Sequence, residues 1–178
     1  HAWKADRGRY PRLEYEVQYG ESDHAFVSRL LEEAGIAFVF ADPGASGTKL
    51  TLDDKLHARE AQPTLPYVDN PNQASEQEFV TRVRLAQEVR SGAYTLRDYD
   101  FRNPGFALFA EAPKMTPEDF YEQYQYLPGG FLIEQPGKEG GTPVADDRGT
   151  ARYTQSYGKA KAERYLQGQR AGRRGVSF

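Results

Sequence analysis

The segment from Val17 to Phe40 constrains the fold most, because it fixes the order of three neighbouring elements. Residues 12–19 alternate apolar and polar side chains, which predicts a strand with one buried face. The next residues place apolar side chains at helical spacing, and Gly35 follows at the position of a left-handed C-terminal cap. Residues 36–40 are a short apolar run typical of a buried strand. We therefore predict a helix held against a sheet, with a core formed by Phe26, Leu30, Leu31, Phe38 and Phe40.

Four polar residues at the start of this helix resemble an active site. Glu21, Ser22, Asp23 and His24 could supply an acid, a nucleophile and a base. Neighbouring residues on a helix point about 100° apart, so they rarely reach one another as a triad. Ser22 or Asp23 is instead a preferred N-cap, and Glu21 and Asp23 lie near the positive end of the helix dipole. The pattern favours helix capping over catalysis.

The following segments predict strands joined by turns. Residues 42–47 form a turn cluster, and residues 48–52 are the predicted hairpin partner of 36–40. Residues 78–90 fit either a helix or a strand, and their β-branched residues favour a strand. Residues 92–101 and 105–112 predict two further strands.

The last third of the chain predicts a loop and then a helix. Residues 113–147 contain many prolines and glycines and predict loop with short extended pieces. A helix is predicted from about Thr150 to Gln169, with Asp146 and Asp147 as capping candidates. Its apolar face is thin, and Gly158 weakens it by about 1 kcal/mol relative to alanine. We expect this helix to lie on a surface or to join two domains.

The order of these elements predicts an α+β fold. Its strands are expected to be mostly antiparallel, with one helix in the N-terminal half packed on a sheet and one C-terminal helix. Two subregions are expected, at about 10–60 and about 76–178.

Composition argues against several classes of function. The net charge is -3, which does not favour nucleic acid as a partner, and no apolar run reaches the roughly 20 residues of a membrane span. The chain has no cysteine, and its three histidines, His1, His24 and His57, lack zinc-site spacing. Phosphate-loop, dinucleotide-binding and nucleophile-elbow motifs are absent from the sequence. No cofactor and no metal are therefore expected.

Pairs of carboxylates leave an enzymatic alternative open. Asp98 and Asp100 flank Tyr99 on one predicted strand and point to the same side of it. Such a pair, or Glu21 with Asp23, could serve a cell-wall hydrolase if the acids lay about 5–10 Å apart across a cleft. The one-sided strand pattern favours a structural role for Asp98 and Asp100.

Three segments together resemble the VgrG family, the spike proteins of type VI secretion systems. In the first, the matching residues are Val17, Gln18, Tyr19, Glu21, Ser22, Asp23, Phe26, Ser28, Arg29, Leu30, Glu32, Gly35 and Ile36. In the second, they are Leu96, Arg97, Asp98, Tyr99, Asp100 and Phe101. The third, residues 121–131, resembles a tyrosine-rich turn of the family, with Leu127 inserted before Pro128.

The resemblance implies a structural role in a contractile, phage-tail-like machine. It implies a homotrimeric hub and spike on a tube of Hcp rings, which carries effectors through target membranes and has no catalytic step. It implies that residues 1–178 are the central α+β part of the hub-like region, without the neck and the β-helical needle. The fragment alone is expected to be monomeric even though the full-length protein is a trimer. The protein is expected to be in the bacterial cytoplasm before firing and to be translocated into the target cell afterwards. An adaptor domain that docks a chaperone or an effector is the remaining alternative.

If the predicted N-terminal core is real, Leu30→Ala should lower the free energy of unfolding by about 2–5 kcal/mol.

Overall fold

The computed structural model describes residues 1–13, 16–41, 47–60, 64–69, 78–101, 104–133 and 154–177, which contain two α-helices and eight strands. The helices are α1 (Asp23–Ala34) and α2 (Gln155–Ala171). The strands are β1 (Ala2–Trp3), β2 (Ala37–Ala41), β3 (Lys49–Asp53), β4 (Arg84–Gln87), β5 (Ala93–Asp98), β6 (Leu108–Glu111), β7 (Glu122–Tyr126) and β8 (Arg174–Ser177). This is the predicted α+β fold, and three of its five strand pairings are antiparallel.

The strands form three small sheets. In the first, β3 lies between β1 and β2, and the predicted β2–β3 hairpin is confirmed with Val39 opposite Thr51. In the second, β4 pairs with β8. In the third, β5 lies between antiparallel β6 and parallel β7. The connecting turn predicted at 42–47 lies outside the described residues except for Gly47. Residues 134–153 also lie outside them, and with them the capping candidates Asp146 and Asp147 and the predicted start of the last helix.

The core lies in the C-terminal half of the chain. Strands β5 and β6 face α2, and a cluster of small and apolar side chains is buried between them. Its buried members are Tyr94, Leu96, Leu108, Ala110, Ala112, Phe131, Ala162 and Leu166. Helix α2 is therefore a central part of the core, and the prediction that it lies on a surface is wrong. Its thin apolar stripe suffices because glycine and alanine let it approach the sheet closely.

The predicted N-terminal core is only partly formed. Phe38 is 38% exposed and Phe40 is 68% exposed, so their assignment to a core is wrong. Phe26, Leu30 and Leu31 are half-buried, and no residue of α1 is buried. Phe38 makes an edge contact with His24 of α1 and another with Phe40.

Residues 16–19 are not a strand, in contrast to the prediction over 12–19. Residues 14 and 15 lie outside the described residues, and both edges of β3 are already occupied. The segment is instead tied to the start of α1. The Gln18 side chain donates to the backbone oxygen of Glu21 at 3.0 Å and to Asp23 Oδ1 at 2.8 Å.

Half-burial of Leu30 changes the stability effect that we expect at this position. Leu30→Ala should lower the free energy of unfolding by only about 1 kcal/mol, because part of the side chain already faces water. Urea denaturation of the chain and its variant would measure the difference. A loss above about 2 kcal/mol would show that Leu30 belongs to a closed core after all.

Candidate functional site

The first motif segment builds and caps helix α1. Ser22 is the N-cap, and its hydroxyl oxygen accepts a hydrogen bond from the Ala25 backbone amide at 3.3 Å. Gly35 ends the helix with φ +70°, a left-handed conformation that favours glycine. This polar cluster therefore caps the helix, as predicted. Arg29 donates a hydrogen bond to Glu21, and Gln18 donates one to Asp23.

Arg29 is the centre of a charged cluster on α1. Its guanidinium lies 3.0 Å from Glu21, 3.5 Å from Glu33 and 3.8 Å from Glu16. The hydrogen bond to Glu21 raises the pKa of Arg29, so the group stays charged. The cluster fastens the segment before α1 to both ends of the helix. Sequence reasoning did not predict that these three carboxylates meet at Arg29.

Glu33 also joins α1 to α2. Lys161 of α2 is buried, and its ammonium lies 2.9 Å from Glu33. Arg164 donates from Nε to the backbone oxygen of Glu33 at 3.0 Å. A buried lysine needs such a partner, because a lone charge out of water is costly. These contacts position the two helices relative to each other.

The second and third motif segments meet at Asp98. This carboxylate is 6% exposed and accepts a hydrogen bond from the Tyr99 backbone amide at 2.7 Å, and the backbone amides of Gly129 and Gly130 lie close enough to favour its charged form. Gly129 has φ +77°, so the turn has the left-handed conformation that glycine permits. Strands β5 and β7 run parallel into this joint, where the Leu127 amide donates to the Arg97 oxygen at 2.9 Å.

The environment of Asp98 is that of a structural acceptor. Burial raises the pKa of Asp98, and the nearby charge of Asp100 adds to the effect, while the backbone amides oppose it. Asp98 and Asp100 are both 6% exposed. A carboxylate that is buried and held by the backbone amides around it is poorly placed for the acid/base role of the hydrolase alternative.

Loss of the Asp98 carboxylate should loosen this joint. We expect Asp98→Ala to lower the free energy of unfolding by about 1–3 kcal/mol, because it removes a buried carboxylate that accepts from the Tyr99 amide and interacts favourably with the amides of Gly129 and Gly130. Asp98→Asn keeps one acceptor oxygen and should lower the free energy of unfolding by less than Asp98→Ala does. Thermal melts of the three proteins would rank them, and equal losses for both variants would contradict the assigned role.

A further set of contacts around Glu118, the Glu118 clamp, fastens the end of α2 and was not predicted from the sequence. Glu118 accepts from Arg173 Nε at 2.8 Å and lies 3.1 Å from Arg170 Nη1. Arg170 also donates to the Thr116 oxygen at 3.0 Å. More than 50 residues separate the partners in sequence, and no local pattern pairs them. Only the folded geometry reveals this clamp.

The Glu118 clamp should make stability depend on pH. Hydrogen bonding to Arg173 lowers the folded-state pKa of Glu118, so its contribution is present above the ordinary glutamate pKa of about 4.3 and is lost as pH falls through the lower, folded value. Glu118→Gln should therefore reduce the loss of stability between about pH 5 and about pH 3. Urea titrations at several pH values test this. Glu88→Gln, at a side chain 60% exposed, is the control and should keep the slope of the unaltered chain.

Several motif residues are largely exposed to solvent. Val17 is 44% exposed, Tyr19 90%, Tyr99 58% and Phe101 68%. In contrast, Ile36 and Leu96 are buried. The motif thus divides into residues that build the fold and residues that present apolar surface.

Within the described residues, no group of three or more histidine, aspartate or glutamate side chains is arranged to hold a metal ion. Neither described helix combines the length and apolar character that crossing a membrane requires.

Comparison with known proteins gives a consistent result. The sequence matches the phage tail baseplate hub (GPD) family over residues 1–178. The type VI secretion system spike protein VgrG4b of Pseudomonas aeruginosa is 37% identical over 134 residues, which are 73% of this chain and 16% of that protein. The spike protein VgrG5 of the same organism is 34% identical over 163 residues, which are 89% of this chain and 20% of that protein. The chain thus spans a fifth or less of the length of these relatives.

Proposed function

Since the chain belongs to the phage tail baseplate hub family, we propose that it is a structural part of the spike and hub at the tip of a type VI secretion needle, which punctures target membranes and delivers effectors. The observation that carries this proposal is the family match over residues 1–178, together with similarity to named type VI spike proteins. The protein has no catalytic step in this role.

The fold supports a mechanical role through long-range polar clamps. Glu33 joins α1 to Lys161 of α2, Asp98 joins β5 to the turn after β7, and Glu118 joins the loop before β7 to the end of α2. Each clamp is anchored by a side chain with at most one fifth of its surface exposed, or by a buried residue. Partly buried, geometrically fixed pairs resist separation better than pairs on a solvated surface. A module that transmits force needs such connections.

The proposal extends to assembly and location. The full-length protein is a homotrimer that sits on a ring of Hcp, resides in the bacterial cytoplasm before firing, and is then translocated. Residues 17–36 and 96–101 act as structural motifs, and the chain divides into subregions at about 10–60 and about 76–178. The fragment binds no nucleic acid and does not insert stably into a membrane.

A hybrid spike protein would test the proposal. The segment of VgrG5 that matches this chain would be replaced by residues 1–178, and trimer formation and export through the type VI apparatus would be measured. We expect a stable trimer that is exported. A hybrid with Phe131→Ala, which removes a fully buried side chain, serves as the folding control. A hybrid that is stable and trimeric but is not exported would contradict the proposal.

A further inference from the structure

The described chain has two parts that differ in how well they are packed. The N-terminal part holds β1, β2, β3 and α1, and the C-terminal part holds the strands β4 to β8 and α2. Every member of the buried core cluster lies in the C-terminal part. In the N-terminal part, Ala5 and Ile36 are the only buried hydrophobic side chains among the residues that the structure describes. The core of one part is therefore built without side chains of the other.

The two parts meet at the contact of α1 with α2. Of the closely packed pairs of helices and strands in the described residues, only this pair joins one part to the other. Glu33 is at its centre, because its carboxylate lies 2.9 Å from the ammonium of Lys161 and its backbone oxygen accepts from Arg164 at 3.0 Å. We call these two contacts the Glu33 clamp.

Three clefts show that the interface around the Glu33 clamp is loosely packed. Their volumes are about 490, 290 and 750 Å³, and each is lined by residues of both parts. In the first, for example, Leu30 and Leu31 line the cleft together with Tyr157 of α2. Protein interiors are normally packed without such openings. Interfaces within a chain permit relative motion of the two parts unless they are large and hydrophobic.

The charges of the Glu33 clamp allow the parts to separate without a lone buried charge. Lys161 is buried while the parts are docked, and it would regain water once they separate. Glu33 would keep Arg29, which lies 3.5 Å away on the same helix. In the docked state, by contrast, removing the carboxylate leaves the ammonium buried and unpaired, which is strongly unfavourable. The charge of Glu33 therefore decides whether docking is tolerated.

We propose that the Glu33 clamp is a latch, and that the N-terminal part moves away from α2 as a folded body when the latch opens. Helix α1 is expected to move with its sheet, because only Gly35 and Ile36 separate it from β2 and because His24 contacts Phe38. Rigid-body motion about an interface is a common form of conformational change. This device goes beyond the hub role, and each can hold without the other.

Distances between pairs of spin labels would test the latch. The chain has no cysteine, so two engineered cysteines can be labelled selectively. Cysteines in place of Ala25 and Lys159 report on the distance between the two parts. The pair at Ala25 and Lys49 reports on the N-terminal part alone, and the pair at Gln123 and Lys159 on the C-terminal part alone. All four positions are exposed.

Glu33→Lys places a second cation beside Lys161 and should open the latch. We expect longer and more broadly distributed distances between the two parts, with the distances inside each part unchanged. Combining Glu33→Lys with Lys161→Glu restores a pair of opposite charges and should return the short distances. Glu60→Lys is the matched control, since it makes the same change of charge at an exposed position that lines none of the three clefts. It should change no distance.

Three outcomes would overturn the proposal. One is an unchanged distance between the parts in Glu33→Lys, which would show that the clamp does not hold them together. Another is a broader distribution inside the N-terminal part, which would mean that this part unfolds and does not move as a body. The third is failure of the charge-swapped double variant to restore the short distances, since the effect would then not come from the ion pair.

Discussion

Replacing Phe131 by alanine is expected to lower the free energy of unfolding by about 3–5 kcal/mol, among the largest effects of any single substitution in this chain. Phe131 is fully buried and is the largest of the completely enclosed side chains in the described residues. It packs in the cluster between α2 and the β5–β6 strands, so its removal opens a cavity that these elements cannot easily close. Urea denaturation followed by circular dichroism would measure the loss.

The contact between Phe131 and Gly158 gives this prediction a sharper form. A Cβ atom at position 158 would lie 2.0 Å from Phe131 Cε1, so Gly158→Ala should cost about 1–3 kcal/mol despite alanine's better helix propensity. In the Phe131→Ala background the obstacle is gone, and Gly158→Ala should become neutral or stabilising. A double-mutant cycle measures this coupling. Additive losses would show that the two residues do not meet.

The sequence predicted correctly those elements that depend on interactions between residues close together in the chain. The N-cap at Ser22 and the C-cap at Gly35 follow from hydrogen bonding and backbone conformation within a few residues. The β2–β3 hairpin follows from two apolar runs separated by turn residues. These features need no information from the rest of the chain.

Long-range packing accounts for the predictions that were wrong. Gly158 weakens an isolated helix, but here it allows α2 to touch Phe131, which is 27 residues earlier in the sequence. Phe40 has the side chain of a core residue, yet it is 68% exposed. Burial depends on which element lies opposite, and hydrophobic periodicity does not specify that element.

In the candidate site, too, the sequence predicted local features and missed the contacts between distant residues. The sequence indicated that Asp98 had a structural role, from its place on a one-sided strand, but not that the amides of Gly129 and Gly130 favour its charged form. The Glu118 clamp joins residues more than 50 positions apart. The cleft beside Ala34 is lined by residues from both ends of the chain, from Trp3 to Arg164. Sites of this kind arise from tertiary structure alone.

Leu96→Ala should lower the free energy of unfolding by about 2–5 kcal/mol, several times the loss expected for Leu30→Ala. Leu96 is fully buried at the centre of β5, with β6 on one side of the strand and β7 on the other. The two substitutions remove the same atoms, so any difference reports the surroundings and not the side chain.

Urea midpoints and slopes for both leucine variants, measured under identical conditions, would separate the effects. A difference in midpoint with an unchanged slope would show that stability, and not the extent of unfolding, has changed. Equal losses at the two positions would mean that the N-terminal half has a closed core comparable to the one around α2. The partial burial of α1 would then not describe the protein in solution.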